Sequence, residues 1–350
     1  LLTGSTKTAE RKIIHSALED GSMHILIGTH ALIEDKVQFK NLGIAIIDEQ
    51  HRFGVAQRAK LWRKNTLSPH VLVMTATPIP RTLAMSVYGD LDISVIDELP
   101  PGRKSIKTVL RSDANRLQVF KFIKEEIKLG KQIYIVYPLI QESEKMDYKD
   151  LMDGYESLVR EFPLPDYRIS IVHGQMKPKD KDFEMQRFIE GKTQLMVATT
   201  VIEVGVNVPN ASVMIIESAE RFGLSQLHQL RGRVGRGNDQ SYCILMSGVK
   251  KSKEATTRLK TMVQTNDGFE IAEVDLRLRG PGDLMGTQQS GVLQLKIADL
   301  LRDQEILKTA RSYAKNIISD DPELTKIEHR DVRTTYSKIT KHKNIWNYIS

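Results

Sequence analysis

Short apolar runs separated by polar, helix-periodic stretches recur along this chain with the rhythm of a parallel α/β protein. In the first hundred residues the runs fall at 24–29, 42–47 and 71–74, lengths that suit strands and not buried helices. Between them, apolar positions three and four apart predict helices over 8–19, 55–63 and 81–88. Strand alternating with crossover helix builds a parallel sheet. The tract Asp97-Glu98-Leu99-Pro100-Pro101-Gly102-Arg103-Lys104 ends that series, because two prolines and a glycine continue neither element. A second series follows, with a helix expected over 114–129 and strands at 133–137, 169–172, 195–198, 213–217 and 242–246. The stretch 141–165 is polar and reads as an irregular surface insertion. From 250 onward the pattern is helical, broken at Arg279-Gly280-Pro281-Gly282-Asp283. The expected organisation is therefore a first α/β unit over 1–98, a linker over 99–106, a second α/β unit over 107–249 and a helical region over 250–350. The opening Leu1-Leu2-Thr3-Gly4-Ser5 reads as a strand end entering a loop, so the first unit is expected to begin part-way through its domain.

Bulk properties narrow this picture only slightly. With 40% hydrophobic and 27% charged residues the composition is that of an ordinary globular protein, and no apolar run approaches the roughly 20 residues of a membrane span, so no membrane partner is expected. The lone cysteine, Cys243, lies in an apolar run and reads as a buried core thiol of a reducing compartment. A net charge of +7 is compatible with a polyanionic partner.

The chemistry is concentrated where the strands end. Ile44-Ala45-Ile46-Ile47 runs straight into Asp48-Glu49-Gln50-His51, which puts two carboxylates at the C-terminal edge of a parallel sheet, where open α/β folds bind ligands. Asp48 is placed to hold Mg²⁺ through water, and Glu49 to polarise the water that attacks a terminal phosphate. Acids after a strand are also common helix caps. Thr75-Ala76-Thr77-Pro78 ends the next strand; it reads either as a helix entry or as two hydroxyls reporting on the acidic cluster. In the second unit, Thr199-Thr200 and the amides that follow suit phosphate, on DNA or on nucleotide. Arg231-Gly232-Arg233-Val234-Gly235-Arg236-Gly237 makes a poor helix interior, and its glycines suit a backbone that approaches phosphate closely. No G-x-x-x-x-G-K-[ST] phosphate loop occurs; Gly4-Ser5-Thr6-Lys7-Thr8 matches only its tail and reads as a helix entry.

In order and spacing these tracts resemble superfamily 2 helicases and translocases: Asp48 to His51 as motif II, Thr75-Ala76-Thr77 as motif III, Thr199 to Pro209 as motif V and Gln226 to Arg236 as motif VI. Asp48 to Val55, Thr77 to Thr82 and Gln226 to Gly237 look like the RecG family of bacterial DNA helicases and the related transcription-repair coupling factors. Asp267 to Asp283 with Gly286 to Gly291 is closer to the RecG family. The resemblance implies two RecA-like parallel-sheet domains, the first truncated at its N-terminus, plus a C-terminal helical hairpin. It implies an ATP-dependent double-stranded-DNA translocase that remodels stalled forks and Holliday junctions, with ATP and Mg²⁺ between the motor domains. Asp48, Glu49, His51, Arg233 and Arg236 would be catalytic, the arginines as fingers; Gly205, Asn207 and Gln229 would join Asp48, Arg233 and Arg236 around the nucleotide. Thr75 and Thr77 would couple hydrolysis to closure. Gly4, Ser5, Thr29, His30, Thr199 and Thr200 would hold the DNA backbone, and Arg258, Arg279 and Gln289 would belong to the translocation hairpin. Asn207 stands where the family usually has Asp. The expected partners are double-stranded and branched DNA and a single-stranded-DNA-binding protein, in a cytoplasmic, nucleoid-associated bacterial setting. Without a Walker loop, the 350 residues alone are expected to hydrolyse no ATP. A coupling factor acting on RNA polymerase, or a noncatalytic DNA-binding module, is the alternative.

Overall fold

The computed structural model describes residues 1–49, 69–75, 94–96, 98, 100–138, 144–199, 208–279 and 303–342. The expected helices over 55–63 and 81–88 lie outside these residues. Among them, two compact units separate, one drawn from 1–75 and 303–342 and the other from 94–279.

In the first unit, helix α1 (Thr8–Asp20) ends at Gly21, whose φ of +82° supplies the left-handed C-terminal cap that a side chain would resist. Strands β1 (Ile44–Ile47) and β2 (His70–Val73) pair in parallel with Ile47 opposite Val73. The strand expected over 24–29 is not one: it is reduced to a single parallel bridge between Leu2 and Gly28. The Leu2 amide donates to the Ile27 carbonyl at 2.9 Å and the Thr29 amide to the Leu2 carbonyl at 3.2 Å, which is too little ladder to define a strand. Leu2, Leu18, Ala31 and Val37 form a small core, and Ile33 and Ile47 form another with Val71 and Val73.

The second unit is a six-stranded parallel sheet. In chain order it runs β3 (Lys107–Ser112), α2 (Arg116–Lys128), β4 (Gln132–Tyr137), α3 (Glu144–Glu161), β5 (Ile169–Val172), α4 (Pro178–Ile189), β6 (Leu195–Thr199), β7 (Ala211–Ile216), α5 (Leu224–Arg231), β8 (Tyr242–Ser247), α6 (Lys253–Gln264) and α7 (Gly268–Arg279). The spatial order is β3-β8-β7-β4-β6-β5. Each strand presents alternate residues to two cores. Val136, Ala198 and Ile216 face Phe188 of α4, Leu227 of α5, Met262 of α6 and Ile271 of α7. Ile135, Val197 and Ile215 face Ile123 of α2 and Leu151 and Leu158 of α3. Both faces are covered, as a parallel sheet requires.

Two elements depart from the sequence reading. The stretch 141–165 contains α3, not an irregular insertion: Leu151 and Leu158, seven residues apart on one helical face, and Phe162 just past the helix end are buried, each worth roughly 1.5–3 kcal/mol in transfer from water. Strand β3 was not anticipated; its polar ends mask it, and it is held as an edge against β8. The C-terminal residues of the first unit are helical as expected, α8 (Gln304–Asp320) and α9 (Arg330–His342). The turn between them is organised by Asp321, whose carboxylate accepts from the Thr325 and Lys326 amides at 2.9 and 2.8 Å and meets His329 Nδ1 at 3.0 Å. No helix among the described residues is long and apolar enough to cross a membrane.

Candidate nucleotide and DNA site

Parallel pairing in the first unit decides where its candidate residues lie. Because β1 and β2 run in register, and the Met74 amide still donates to the Ile47 carbonyl at 2.8 Å, Asp48-Glu49 and Thr75 leave the sheet at the same edge. Asp48 is exposed and its Oδ1 accepts the Glu49 amide at 2.9 Å. Glu49 is half-buried with φ +52°, a left-handed conformation that costs a non-glycine residue about 1–2 kcal/mol and tends to be retained at functional sites. His51 and Thr77 lie outside the described residues.

The Leu2–Gly28 bridge assembles the expected backbone-contact residues at a second place. The Gly4-Ser5 turn follows one partner of the bridge and Thr29-His30 the other, so the two segments emerge side by side. Gly28 is required for this, since a Cβ there would stand 2.0 Å from the Leu2 carbonyl oxygen. A Cβ on Gly4 would meet nothing within 4 Å, so its backbone is open to a ligand.

In the second unit, Gln229 lies half-buried on α5, Arg233 half-buried in the following loop, and Arg236 exposed further along it. Burial pushes the Tyr134 hydroxyl up to about 12 against the opposing charges of Arg236 and Arg233, which puts both guanidinium groups within electrostatic reach of β4. Two of the loop glycines have a packing reason of their own. Gly235 has φ +76° and a Cβ there would lie 2.9 Å from Ile106; a Cβ on Gly237 would lie 3.0 Å from the Pro209 carbonyl oxygen. They let the loop pack on its own domain. Thr199 closes β6, 2% exposed, its hydroxyl without a partner among the described residues. Thr200, Gly205, Asn207 and Gln289 lie outside the described residues. Arg258 sits on α6 with Nη2 donating to the Glu220 carbonyl at 2.9 Å. Arg279 is the last residue of α7, its side chain outside the description.

Sequence reasoning did not separate Arg231 from its neighbours. Its guanidinium is buried and donates through Nη1 to the Met262 and Thr265 carbonyls, both at 2.9 Å, while Nη2 meets His228 Nδ1 at 3.1 Å. Burial, then the Arg231 charge, pushes the His228 imidazole down to about 4. Ser225 Oγ donates to Asp275 Oδ2 at 3.2 Å, a further tie from α5 to α7. A signal existed: Arg231 stands seven residues after Leu224 and four after Leu227, on the inner face of α5, whereas Arg233 and Arg236 lie beyond its end.

Three family models tile the chain: DEAD/DEAH box helicase over residues 1–86, helicase conserved C-terminal domain over 118–238, and ATP-dependent DNA helicase RecG, domain 3, C-terminal, over 265–350. The ATP-dependent DNA helicase RecG of Synechocystis sp. is 54% identical over 324 residues, covering 93% of this chain and 39% of the relative. That of Bacillus subtilis is 50% identical over 321 residues, 92% of this chain and 47% of the relative. A solved structure of RecG bound to a three-way DNA junction matches 88% of this chain and 39% of its own, at 46% identity and a TM-score of 0.66. The chain thus spans about two fifths to one half of the relatives it matches.

Proposed function

We propose that the chain belongs to the RecG family of DNA helicases, and that the protein couples ATP hydrolysis to movement on double-stranded DNA, remodelling stalled forks and Holliday junctions in repair and recombination. The observation that carries the reading is the shared sheet edge of Asp48, Glu49 and Thr75, two carboxylates and a hydroxyl where parallel α/β sheets take their ligands. Such an all-oxygen donor set fits a hard divalent cation. Asp48 keeps Oδ2 available once Oδ1 has accepted the Glu49 amide, and would hold Mg²⁺ through water. When bound, Mg²⁺ neutralises charge on the phosphate oxygens. Glu49 accepts the proton of the attacking water, and Arg233 and Arg236 offer permanent charge to the leaving phosphate. Gln229, Gly205 and Asn207 would complete the nucleotide contacts. Gly4, Ser5, Thr29, His30, Thr199 and Thr200 would follow the DNA backbone, with Arg258, Arg279 and Gln289 transmitting movement. Resemblance alone supports a single-stranded-DNA-binding protein as partner and the bacterial nucleoid as the place of action.

The test is Glu49→Gln in the intact protein. Nucleotide binding should persist while DNA-stimulated turnover falls by about 10² or more, as loss of a general base does. Turnover within a few-fold of wild type removes Glu49 from the chemistry.

A further inference from the structure

At the C-terminal edge of the six-stranded sheet, on the α2/α3 side and apart from the arginine loop, lies a cavity of about 350 Å³, the lower range of small-ligand sites. Its floor is apolar, from Phe120, Leu158 and Met246, all nearly inaccessible to solvent. The wall is ionic. Arg116 makes a two-pronged pair with Glu217, Nη1 to Oε1 at 2.8 Å and Nη2 to Oε2 at 2.9 Å, and Nη2 also donates to Asp113 at 2.7 Å. Asp153 completes the mouth.

Three further features distinguish this place from a chance indentation. Tyr137 is 9% exposed and lines the cavity, and its hydroxyl makes no hydrogen bond among the described residues. Burial, then the Glu217 charge, pushes its pKa up, so the hydroxyl stays neutral and offers lone pairs. That hydroxyl is admitted by Gly154, where a Cβ would stand 2.2 Å from the phenolic oxygen. Ser218, at the rim, has φ +47°, a left-handed strain for a non-glycine residue.

The chemistry selects among ligands. An anion is refused, because Arg116 already serves two carboxylates. A divalent cation needs six or more oxygen ligands, and both Glu217 oxygens are engaged. Lys251 reaches the rim through Ser247 Oγ at 2.8 Å and still leaves three carboxylates against two cations. An ammonium on a methylene stem satisfies every part: the head takes the Tyr137 hydroxyl and the Asp113 and Asp153 carboxylates, and the stem covers the apolar floor. We propose that this cavity binds a primary alkylammonium group, of a free diamine or of a lysine side chain.

Calorimetric titration of the intact protein in the absence of DNA tests it, with putrescine and N-acetyl-lysine methylamide as probes. One saturable site is expected. Tyr137→Phe and Asp153→Asn should each weaken it about ten-fold, the loss of one hydrogen bond to a charged group, while Glu190→Gln, an exposed acid elsewhere, leaves it unchanged. Tighter binding of putrescine assigns the free diamine, and tighter binding of the lysine analogue assigns a partner's side chain; either supports the site. Absence of saturation by both probes, or wild-type affinity in both variants with unaltered melting, overturns it.

Discussion

Arg231 and Arg236 lie five residues apart in one tract and have opposite relations to solvent, which decides how each should fail. Arg231 is 2% exposed and holds the Met262 and Thr265 carbonyls. Replacing it with leucine leaves those acceptors buried without donors, a cost of about 2–4 kcal/mol that a urea unfolding midpoint will register. Arg236→Ala removes an exposed charge, so stability should stay within about 0.5 kcal/mol while ATP turnover drops by roughly 10³ or more. Equal stability losses in the two variants would erase the distinction. His228 adds a pH prediction. Its folded pKa is lowered from 6.5 to about 4 by burial and by Arg231, so between those values the unfolded chain binds the extra proton. Stability is complete above about pH 6.5 and declines as pH falls toward 4, by up to about 3 kcal/mol. In His228→Gln this part of the acid slope should vanish; if unfolding at pH 7 and pH 5 differs as much as in wild type, His228 is not its source.

At the scale of elements, Gly154 shows a helix residue chosen against its own propensity. Alanine would favour α3 by about 1 kcal/mol in isolation, yet its Cβ would lie 2.2–2.7 Å from the Tyr137 phenol, a rigid ring that cannot withdraw. Gly154→Ala should therefore destabilise the protein by about 1–3 kcal/mol, the usual cost of overpacking, and Tyr137→Phe in the same chain should restore part of it. Thermal melts of the two single variants and the double variant measure the coupling; additive losses would mean that the two groups do not compete. The same helix marks the limit of reading this chain from its pattern. Strands such as β4, β6 and β8 were legible to within a residue or two because they are largely apolar runs with a neighbouring strand on each side. Helix α3 was not, because most of its residues are polar and, among its described side chains, Leu151 and Leu158 are the fully buried ones, with Phe162 following just past its end. Strand β3 was missed for a related reason: an edge strand has one hydrogen-bonded neighbour, and Lys107, Arg111 and Ser112 interrupt its run. At the site, the acids and threonines were legible because they end strands. Which of the arginines is buried was not, since it depends on where α5 stops and on which carbonyls at the end of α6 it meets.

For the whole molecule, the proposed function poses the question of how hydrolysis would become movement, and the second unit suggests where the two tasks would divide. Helix α5 delivers the arginine loop, and α7 packs against α5 and α6, tied by Ser225 to Asp275 and with Ile271 in the common core. Arg279 ends α7, and Arg233 and Arg236 lie in the loop past the end of α5, so the groups proposed for charge stabilisation and for transmission stand at different places in one packed unit. Two failures should then be separable in the intact protein. Arg236→Ala should abolish DNA-stimulated ATP hydrolysis and fork regression together, because movement needs turnover. Arg279→Ala leaves Glu49, Arg233 and Arg236 in place, so hydrolysis on DNA should survive in good part while regression is lost. Duplex affinity in both should still fall steeply with salt, since backbone contacts release counterions whichever arginine is missing. The decisive comparison is the ratio of forks regressed to ATP consumed. It should be unchanged within the residual activity of Arg236→Ala and collapse in Arg279→Ala; the same ratio in both would place Arg279 with the nucleotide chemistry and leave α7 without a transmitting role.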